Sequence, residues 1–224
     1  VTRVVRSTIA HGYVKSVDIS EAEKVPGVVR IFTCFDVPDI KFPTAGHPWS
    51  VEPAHQDVAD RRLLNRHVRY YGDDVAAVVA EDEVAAAQAA RKIRVEYEEL
   101  PFVLDVQQAM EDGQPQLHKE FPHNILHHSD IRIGNYAEAI KEPGLICVDK
   151  WYNTSTVQHC HIENHVVYAY EEAGKIVIVS STQIPHIVRR TVGQALNIPW
   201  GSVRVIKPYI GGGFGNKQDT LYEP

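Results

Sequence analysis

Nine residues, GGGFGNKQD at 211–219, have a composition suited to binding a ligand through the backbone. Glycine has no Cβ, so the chain there can adopt positive φ and bring its N–H groups against an anionic or oxo group. A tight turn or a flexible linker is the other interpretation of a glycine run taken alone. Phe214 favours a shaped loop, because a bulky aromatic side chain is unusual in a linker. Neither the GxGxxG nor the GxxxxGK[ST] spacing is present, so no nucleotide-binding motif is indicated.

A second group of residues with possible chemistry is the stretch QHCHIE, in which His159 and His161 alternate and His165 follows. Alternation could place two imidazoles on one face to bind zinc. Without a fixed third ligand, packed or hydrogen-bonded histidines are the favoured interpretation, and we predict no metal-ligating side chain. The three cysteines are widely spaced, which predicts reduced thiols and excludes a cysteine set for an iron-sulfur cluster.

Composition excludes several classes of protein. The 224 residues carry a formal net charge of −6 and no dense basic patch, so nucleic acid is not an expected partner. Charged residues interrupt every apolar run before it reaches membrane-spanning length, and the first residues do not resemble a signal peptide. We therefore predict no membrane association and a cytoplasmic location.

The first half of the sequence predicts a mixture of strands and helices. Strands are indicated at 2–7, 28–38, 73–80 and 91–101, and an alanine-rich helix between the last two completes a β-α-β unit. A short helix is predicted over 20–27, with Ser20 as N-cap and Glu23 completing a capping box. Residues 41–57, rich in proline, form a predicted long loop.

The second half predicts a connection followed by a second domain. Residues 105–143 have a weak pattern punctuated by glycine and proline, as in a connection between domains. Strands are indicated at 144–155, 164–172 and 174–183, the last two joined by a Glu-Ala-Gly turn. A helix over 184–197 and a strand over 202–210 then lead into the glycine loop.

Several phrases together resemble the molybdenum hydroxylases, the xanthine dehydrogenase and aldehyde oxidase family. GGGFGNKQ is similar to that family's GGGFGxKE loop, and the chain also carries VRSTIAHGYVKSVD, VPGVVRIFTCFDVPD, YYGDDVAAVVAEDEVAAAQAARKIRVEYEELP and SSTQIPH. The likeness covers essentially the whole chain. It is strongest to the molybdenum subunit of bacterial xanthine dehydrogenases.

The resemblance implies an α+β fold in which an α/β hammerhead domain precedes a mixed α/β molybdopterin-binding domain. It places the hammerhead at 1–104, the connection at 105–143 and the first part of the molybdopterin-binding domain at 144–224. The sequence starts inside a predicted strand and stops just after the glycine loop. We therefore expect a piece of a longer subunit, roughly its first third, that is inactive alone.

The chemistry implied by the resemblance is hydroxylation of an electron-poor carbon, with water as the oxygen source. The expected cofactor is molybdenum held by molybdopterin, and the expected substrate is a purine such as xanthine or hypoxanthine. Electrons would leave through 2Fe-2S clusters and FAD to NAD, all carried by partner subunits or domains. Oxidation of aldehydes or other N-heterocycles is an alternative substrate hypothesis, and a non-catalytic scaffold or assembly domain is an alternative of another class.

The resemblance also implies roles for individual residues. Gly212, Gly213, Phe214 and Gly215 match the cofactor loop, and the N–H groups of Phe214 and Gly215 would face the metal's oxo ligand and the cofactor. Gln218 stands where xanthine-type members commonly carry a glutamate that binds the purine. An amide can donate as well as accept a hydrogen bond, but it cannot act as an acid or base.

A second departure from the family lies before the glutamate matched by Glu163. Family members usually have a glutamine six residues earlier, where Val157 stands in this chain. Gln158 is one residue later and would face the opposite side of a strand unless the backbone bulges. We predict it as a cofactor-binding residue on that condition. The general base is expected outside this chain, so no catalytic residue is assigned.

Overall fold

The computed structural model describes residues 1–43, 58–128 and 130–218. The chain divides into two compact units: Val1–Pro101 together with His159–Pro224, and Phe102–Gln158. The described chain has the predicted α+β composition. The domain boundaries at 104 and 143 stay a prediction, and most of the loop predicted at 41–57 lies outside the described residues.

The described residues between 1 and 100 form two antiparallel sheets. Their elements are β1 (Thr2–Arg6), β2 (Gly12–Asp18), β3 (Val28–Thr33), β4 (His67–Val68), β5 (Asp74–Ala80), α1 (Glu83–Lys92) and β6 (Arg94–Glu99). Among the described residues, one sheet has the order β1-β5-β3 and the other β4-β2-β6. The strands predicted at 2–7, 28–38, 73–80 and 91–101 are therefore confirmed as β1, β3, β5 and β6. The predicted β-α-β order is also present, but β5 and β6 lie in different sheets, so α1 connects two sheets.

Helix α1 begins and packs as its sequence predicts. The carboxylate of Asp82 accepts a hydrogen bond from the Ala85 N–H at 2.8 Å, which caps the first turn. Its buried face is made of alanines, which let the helix lie close to the sheet. The apolar cluster beneath it consists of Ala22, Val25, Ile31, Ala76, Val78, Ala80, Ala85, Ala86, Ala89 and Ile93. Burial of this surface is the main favourable contribution to the stability of the region.

The short helix predicted over 20–27 is wrong, since the structure has consecutive turns there. Ser20 does not cap a helix; its own N–H donates to the Asp18 carboxylate at 3.0 Å. The Ile19 carbonyl accepts from the N–H groups of both Ala22 and Glu23, at 2.9 and 3.0 Å. Pro26 and Gly27, which has φ +87°, then redirect the chain before a helix can propagate.

Asp73, just before β5, is a buried carboxylate in this region. It accepts from the Asn65 side-chain amide at 2.8 Å and from the Arg69 backbone N–H at 3.1 Å. Burial nevertheless raises its pKa above the ordinary value.

The unit Phe102–Gln158 contains two single-turn helices, α2 (Val106–Ala109) and α3 (Tyr136–Ala139). Asn124 organises part of it: its amide donates to the Ala109 and Pro115 carbonyls at 2.9 and 3.0 Å and accepts from the Leu117 N–H. The strand predicted over 144–155 is wrong, because these residues have no regular structure and their side chains are exposed. An alternating pattern forms a strand only where a neighbouring strand supplies backbone hydrogen bonds.

Residues 167–206 form a third sheet with a crossover helix. The elements are β7 (Val167–Glu172), β8 (Lys175–Ser180), α4 (Pro185–Leu196) and β9 (Val203–Ile206). Ala173 and Gly174 both have positive φ, as a two-residue hairpin turn requires, so the predicted hairpin is confirmed. Strand β9 runs parallel to β8, and α4 packs on the sheet through Val188 and Val192. The predicted helix and the final strand are thus present.

Within the described residues, no helix combines the length and the apolar character needed to cross a membrane.

Candidate cofactor-binding loop

The glycine loop follows β9 and is a folded turn of defined shape. Gly212, Phe214 and Gly215 have φ of +97°, +50° and +89°. The Asn216 N–H donates to the Gly213 carbonyl at 2.8 Å, and the Gln218 N–H donates to the Gly215 carbonyl at 3.2 Å. Positive φ at Phe214 is strained for a residue with a side chain, so the surrounding contacts must hold it there.

Two of the glycines pack closely on side chains beneath the loop, Gly211 on the Cβ of Glu163 and Gly213 on the flexible side chain of Gln183. A Cβ on Gly211 would lie 2.7 Å from the Cβ of Glu163, and one on Gly213 would lie 2.5 Å from Oε1 of Gln183. Both distances are far below van der Waals contact. Glycine therefore lets the loop approach the side chains beneath it.

Glu163 and Lys217 hold the two ends of the loop together. One carboxylate oxygen of Glu163 accepts from the Gly211 N–H at 3.0 Å and from the Lys217 ammonium at 2.6 Å. The Lys217 side chain is fully buried, whereas that of Glu163 is 29% exposed. The hydrogen bond from Lys217, and then that from Gly211, lower the pKa of Glu163 below its ordinary value of 4.5.

Asn216 connects the loop to the two histidines of the 161–165 segment. Its side-chain nitrogen lies 3.1 Å from Nε2 of His161 and 3.1 Å from Nε2 of His165. The two rings meet edge to face, with centroids 5.2 Å apart. Nδ1 of His161 is 2.5 Å from the Glu163 carbonyl oxygen. These contacts place polar side chains from a distant segment directly under the exit of the loop.

Gln183 supports the apex of the loop from the end of β8. Its Oε1 accepts from the Gly215 N–H at 3.2 Å, and its backbone N–H donates to the Lys217 carbonyl at 2.9 Å. Phe214 is 74% exposed. Among the residues that the structure describes, its N–H has no hydrogen-bond acceptor. The apex therefore presents one available backbone donor beside one that Gln183 already engages.

The structure brings Gly212, Gly213, Phe214 and Gly215 together in this loop. Gln218 ends it, with an exposed side chain. Gln158 is the last residue of the other compact unit and is exposed, and its part in cofactor binding stays a prediction.

No three histidine, cysteine or acidic side chains in the described ranges are arranged to hold a metal ion. Of the histidines considered for zinc binding, His161 and His165 do lie together, but the Asn216 amide lies between them.

Sequence reasoning missed Gln183, Asn216 and Lys217 as members of the site. Asn216 and Lys217 lie inside the glycine motif itself, and Gln183 is the last residue of the strand predicted over 174–183. Only the position of Gln183 carried a usable signal: a polar side chain at the carboxyl end of a strand whose parallel neighbour leads into the loop.

Residues 1–101 match the family model for the aldehyde oxidase and xanthine dehydrogenase a/b hammerhead domain. Residues 117–224 match that for a molybdopterin cofactor-binding domain. The chain belongs to the aldehyde oxidase and xanthine dehydrogenase family of molybdenum hydroxylases.

Among its relatives is a xanthine dehydrogenase molybdenum-binding subunit from Escherichia coli O157:H7, 50% identical over 99% of this chain and 29% of that protein. The nicotinate dehydrogenase large molybdopterin subunit of Eubacterium barkeri is 32% identical, covering 96% of this chain and 48% of its own length. The aldehyde oxidoreductase of Desulfovibrio gigas superposes with a TM-score of 0.85 at 28% identity, over 96% of this chain and 24% of that one. The chain thus spans less than a third of the xanthine dehydrogenase subunit.

Proposed function

We propose that this chain supplies part of the cofactor-binding wall of a molybdenum hydroxylase. The observation that carries the proposal is the apex of the glycine loop, where the Phe214 N–H is available among the described residues. At Gly215 a Cβ would meet no atom of the described residues within 4 Å, so a ligand can approach the backbone closely. A backbone donor beside open space suits an oxo or phosphate oxygen.

The residues around the apex fit molybdopterin in chemical type. The cofactor is rich in acceptor oxygens, and backbone N–H groups bind these without adding a charge. The N–H of Phe214 would bind directly. Gln183 would hold the Gly215 peptide in place and offer its own side-chain NH₂ nearby.

When bound, the cofactor supplies the two-electron oxidation of a carbon centre with water as the oxygen source. The residues of this chain would act by orientation. Glu163, Lys217 and Asn216 hold the loop from below, so that its donors do not have to reorganise on binding. Phe214, exposed at the apex, would present an apolar face and exclude water on one side.

We propose a purine as the substrate of the complete enzyme. The 50% identical relative is named a xanthine dehydrogenase subunit, which supports this choice. Gln218 would hydrogen-bond the purine with an amide, which both donates and accepts. Relatives named for nicotinate and for aldehyde oxidation support the alternative, a different N-heterocycle or an aldehyde.

The proposed partners follow from the same reasoning. Electrons would pass to 2Fe-2S clusters and FAD in other subunits or domains, with NAD as the acceptor at FAD and a cytoplasmic location for the assembly. The non-catalytic scaffold remains the alternative of another class.

The test uses the complete protein carrying Gly213→Ala, with Gly201→Ala as a matched control. A Cβ on Gly213 would displace Gln183, whereas one on Gly201 would meet no atom within 4 Å in the part of the chain that the structure describes. We expect about tenfold less molybdenum per protein in the first variant and wild-type content in the second. Molybdenum is measured by mass spectrometry, and turnover is measured with xanthine, nicotinate and an aldehyde.

Equal molybdenum in both variants would contradict the proposed role of the loop. A metal-free complete protein would favour the scaffold. Turnover of nicotinate or of the aldehyde, but not of xanthine, would replace the purine with the alternative substrate class.

A further inference from the structure

The side chain of Asn216 lies between two histidine rings, and hydrogen bonding fixes which way each group points. The Glu163 carbonyl oxygen can only accept, so Nδ1 of His161 must carry the proton that joins them at 2.5 Å. Nε2 of a neutral His161 is then an acceptor. The group 3.1 Å from it must be a donor, which assigns the NH₂ of Asn216 to that position.

The same assignment extends to the second histidine. The NH₂ group of Asn216 has two hydrogens and no lone pair for hydrogen bonding, and it lies 3.1 Å from each Nε2. Nε2 of His165 must therefore also accept. Each hydrogen of one amide is used by one imidazole, and both imidazoles must be unprotonated at Nε2.

Protonation of either ring breaks this arrangement. A proton on Nε2 of His161 would face the NH₂ of Asn216, donor against donor, while Nδ1 stays engaged with the Glu163 carbonyl. When one ring is protonated and the other is neutral, rotation of the Asn216 amide satisfies one ring through Oδ1 only by giving up the other. When both rings are protonated, a rotated amide could accept from both, but it would hold two positive rings with centroids 5.2 Å apart and has no charge to offset their repulsion. The pair of bonds therefore favours two neutral histidines.

Among the described residues, Glu163 and Lys217 are charged groups that lie next to the Asn216–histidine cluster, and they are paired with each other at 2.6 Å. Lys217 is fully buried and follows Asn216 directly. Loss of the Asn216 contacts would therefore release the exit of the loop next to the ion pair that closes it.

We propose that Asn216 is a positioning residue that holds the glycine loop in its binding geometry only while His161 and His165 are both neutral. Protonation of either ring would loosen the loop, so we expect the loop to be more ordered in alkaline than in acidic solution. The consequence for cofactor retention rests on the proposed function. The consequence for loop order does not.

The experiment measures amide hydrogen exchange over residues 211–218 in the complete protein at pH 8 and pH 5. Asn216→Ala removes both bonds. Asn216→Asp has the same shape but only accepts, so it pairs with protonated histidines. Rates are compared between proteins at the same pH, which cancels the intrinsic pH dependence of exchange. The amides that report are those of Gly211, Gly215, Asn216 and Gln218, all hydrogen-bonded in the loop.

At pH 8 we expect the wild type to exchange about tenfold more slowly than Asn216→Ala, the effect of two hydrogen bonds. At pH 5 that ratio should approach one. The aspartate variant should behave in the opposite sense, with greater protection at pH 5 than at pH 8 relative to Asn216→Ala. A side chain that only fills space would not reverse this dependence.

Equal exchange in wild type and Asn216→Ala at pH 8 would overturn the proposal, as would a ratio that stays constant between the two pH values. If Asn216→Asp does not fold, the ratio of wild type to Asn216→Ala still decides. Molybdenum content of the same samples separates the two proposals: a pH-dependent loop in a protein that never binds molybdenum would sustain this inference and reject the proposed function.

Discussion

The hammerhead region and the glycine-loop region hold their carboxylates in opposite ways. In the first, Asp73 is buried, and burial raises its pKa despite hydrogen bonds from Asn65 and Arg69. In the second, Glu163 is partly exposed, and bonds from Lys217 and Gly211 lower its pKa. The hammerhead tolerates a buried carboxylate, whereas the loop is built around a partly exposed one.

This difference shows that the two regions depend on different forces. The hammerhead is stabilised by apolar area removed from water, which is not directional and spreads over many residues. The glycine loop is held by a few hydrogen bonds with fixed donors and acceptors. Substitutions should therefore affect the global stability of the first and the local order of the second.

The largest effect is expected from Val78→Asp in the central strand β5. Val78 is fully buried, and a carboxylate there has no partner in the apolar cluster. We expect the free energy of unfolding to fall by about 4 kcal/mol, measured by urea denaturation. Val29→Asp is the control, since Val29 is 64% exposed in the adjacent strand β3, and it should cost less than about 1 kcal/mol. Similar losses in both variants would show that strand propensity and not the core dominates.

A smaller and local effect is expected from Lys217→Met. Methionine fills the buried volume but removes the ammonium that pairs with Glu163. Of its hydrogen bonds from Lys217 and Gly211, the Glu163 carboxylate then keeps only the one from the Gly211 N–H. Exchange of the loop amides should quicken about tenfold while the unfolding midpoint changes little. Lys207→Met, at an exposed position just before the loop, is the control. A large fall in the midpoint without faster loop exchange would contradict the division between the two regions.

The smallest effect is expected when the order of the glycine loop is measured at acidic pH. Because the pKa of Glu163 is lower in the folded protein than its ordinary 4.5, its ionised form stabilises the loop fully above about pH 4.5. That contribution is lost as the pH falls through the lowered value. Asp73 has the opposite sign, since its raised pKa favours the folded state on protonation. Loop exchange in wild type, compared with Glu163→Gln from pH 6 to pH 3, should converge at low pH, and a constant difference would contradict the assignment.

Much of the fold was predictable because it depends on periodic apolar residues. The alternating strands, the alanine helix α1 and the hairpin at Ala173 and Gly174 carry their signals locally. The helix over 20–27 and the strand over 144–155 failed for a common reason. Each had a local pattern, but a single turn does not propagate and a strand needs a neighbour.

The site was predictable only in part. Glycines around one phenylalanine indicate a shaped loop, because a backbone with positive φ requires glycine at most positions. The hydrogen-bond partners of Asn216 and Gln183 could not be predicted in this way. The histidines that contact Asn216 lie 51 and 55 residues away in sequence, and Gly215, which contacts Gln183, lies 32 residues away. These residues meet only through the fold. Hydrogen-bond partners of this kind leave no periodicity to detect.

The complete burial of the Lys217 side chain has a practical consequence for chemical access. Acylating reagents and trypsin both need a lysine side chain that they can reach. In the folded protein the bond after Lys217 is protected, although trypsin would cut there in the unfolded chain. The rate at which trypsin cleaves this bond in the folded protein therefore reports how often the loop opens. The measurement needs no cofactor, substrate or partner.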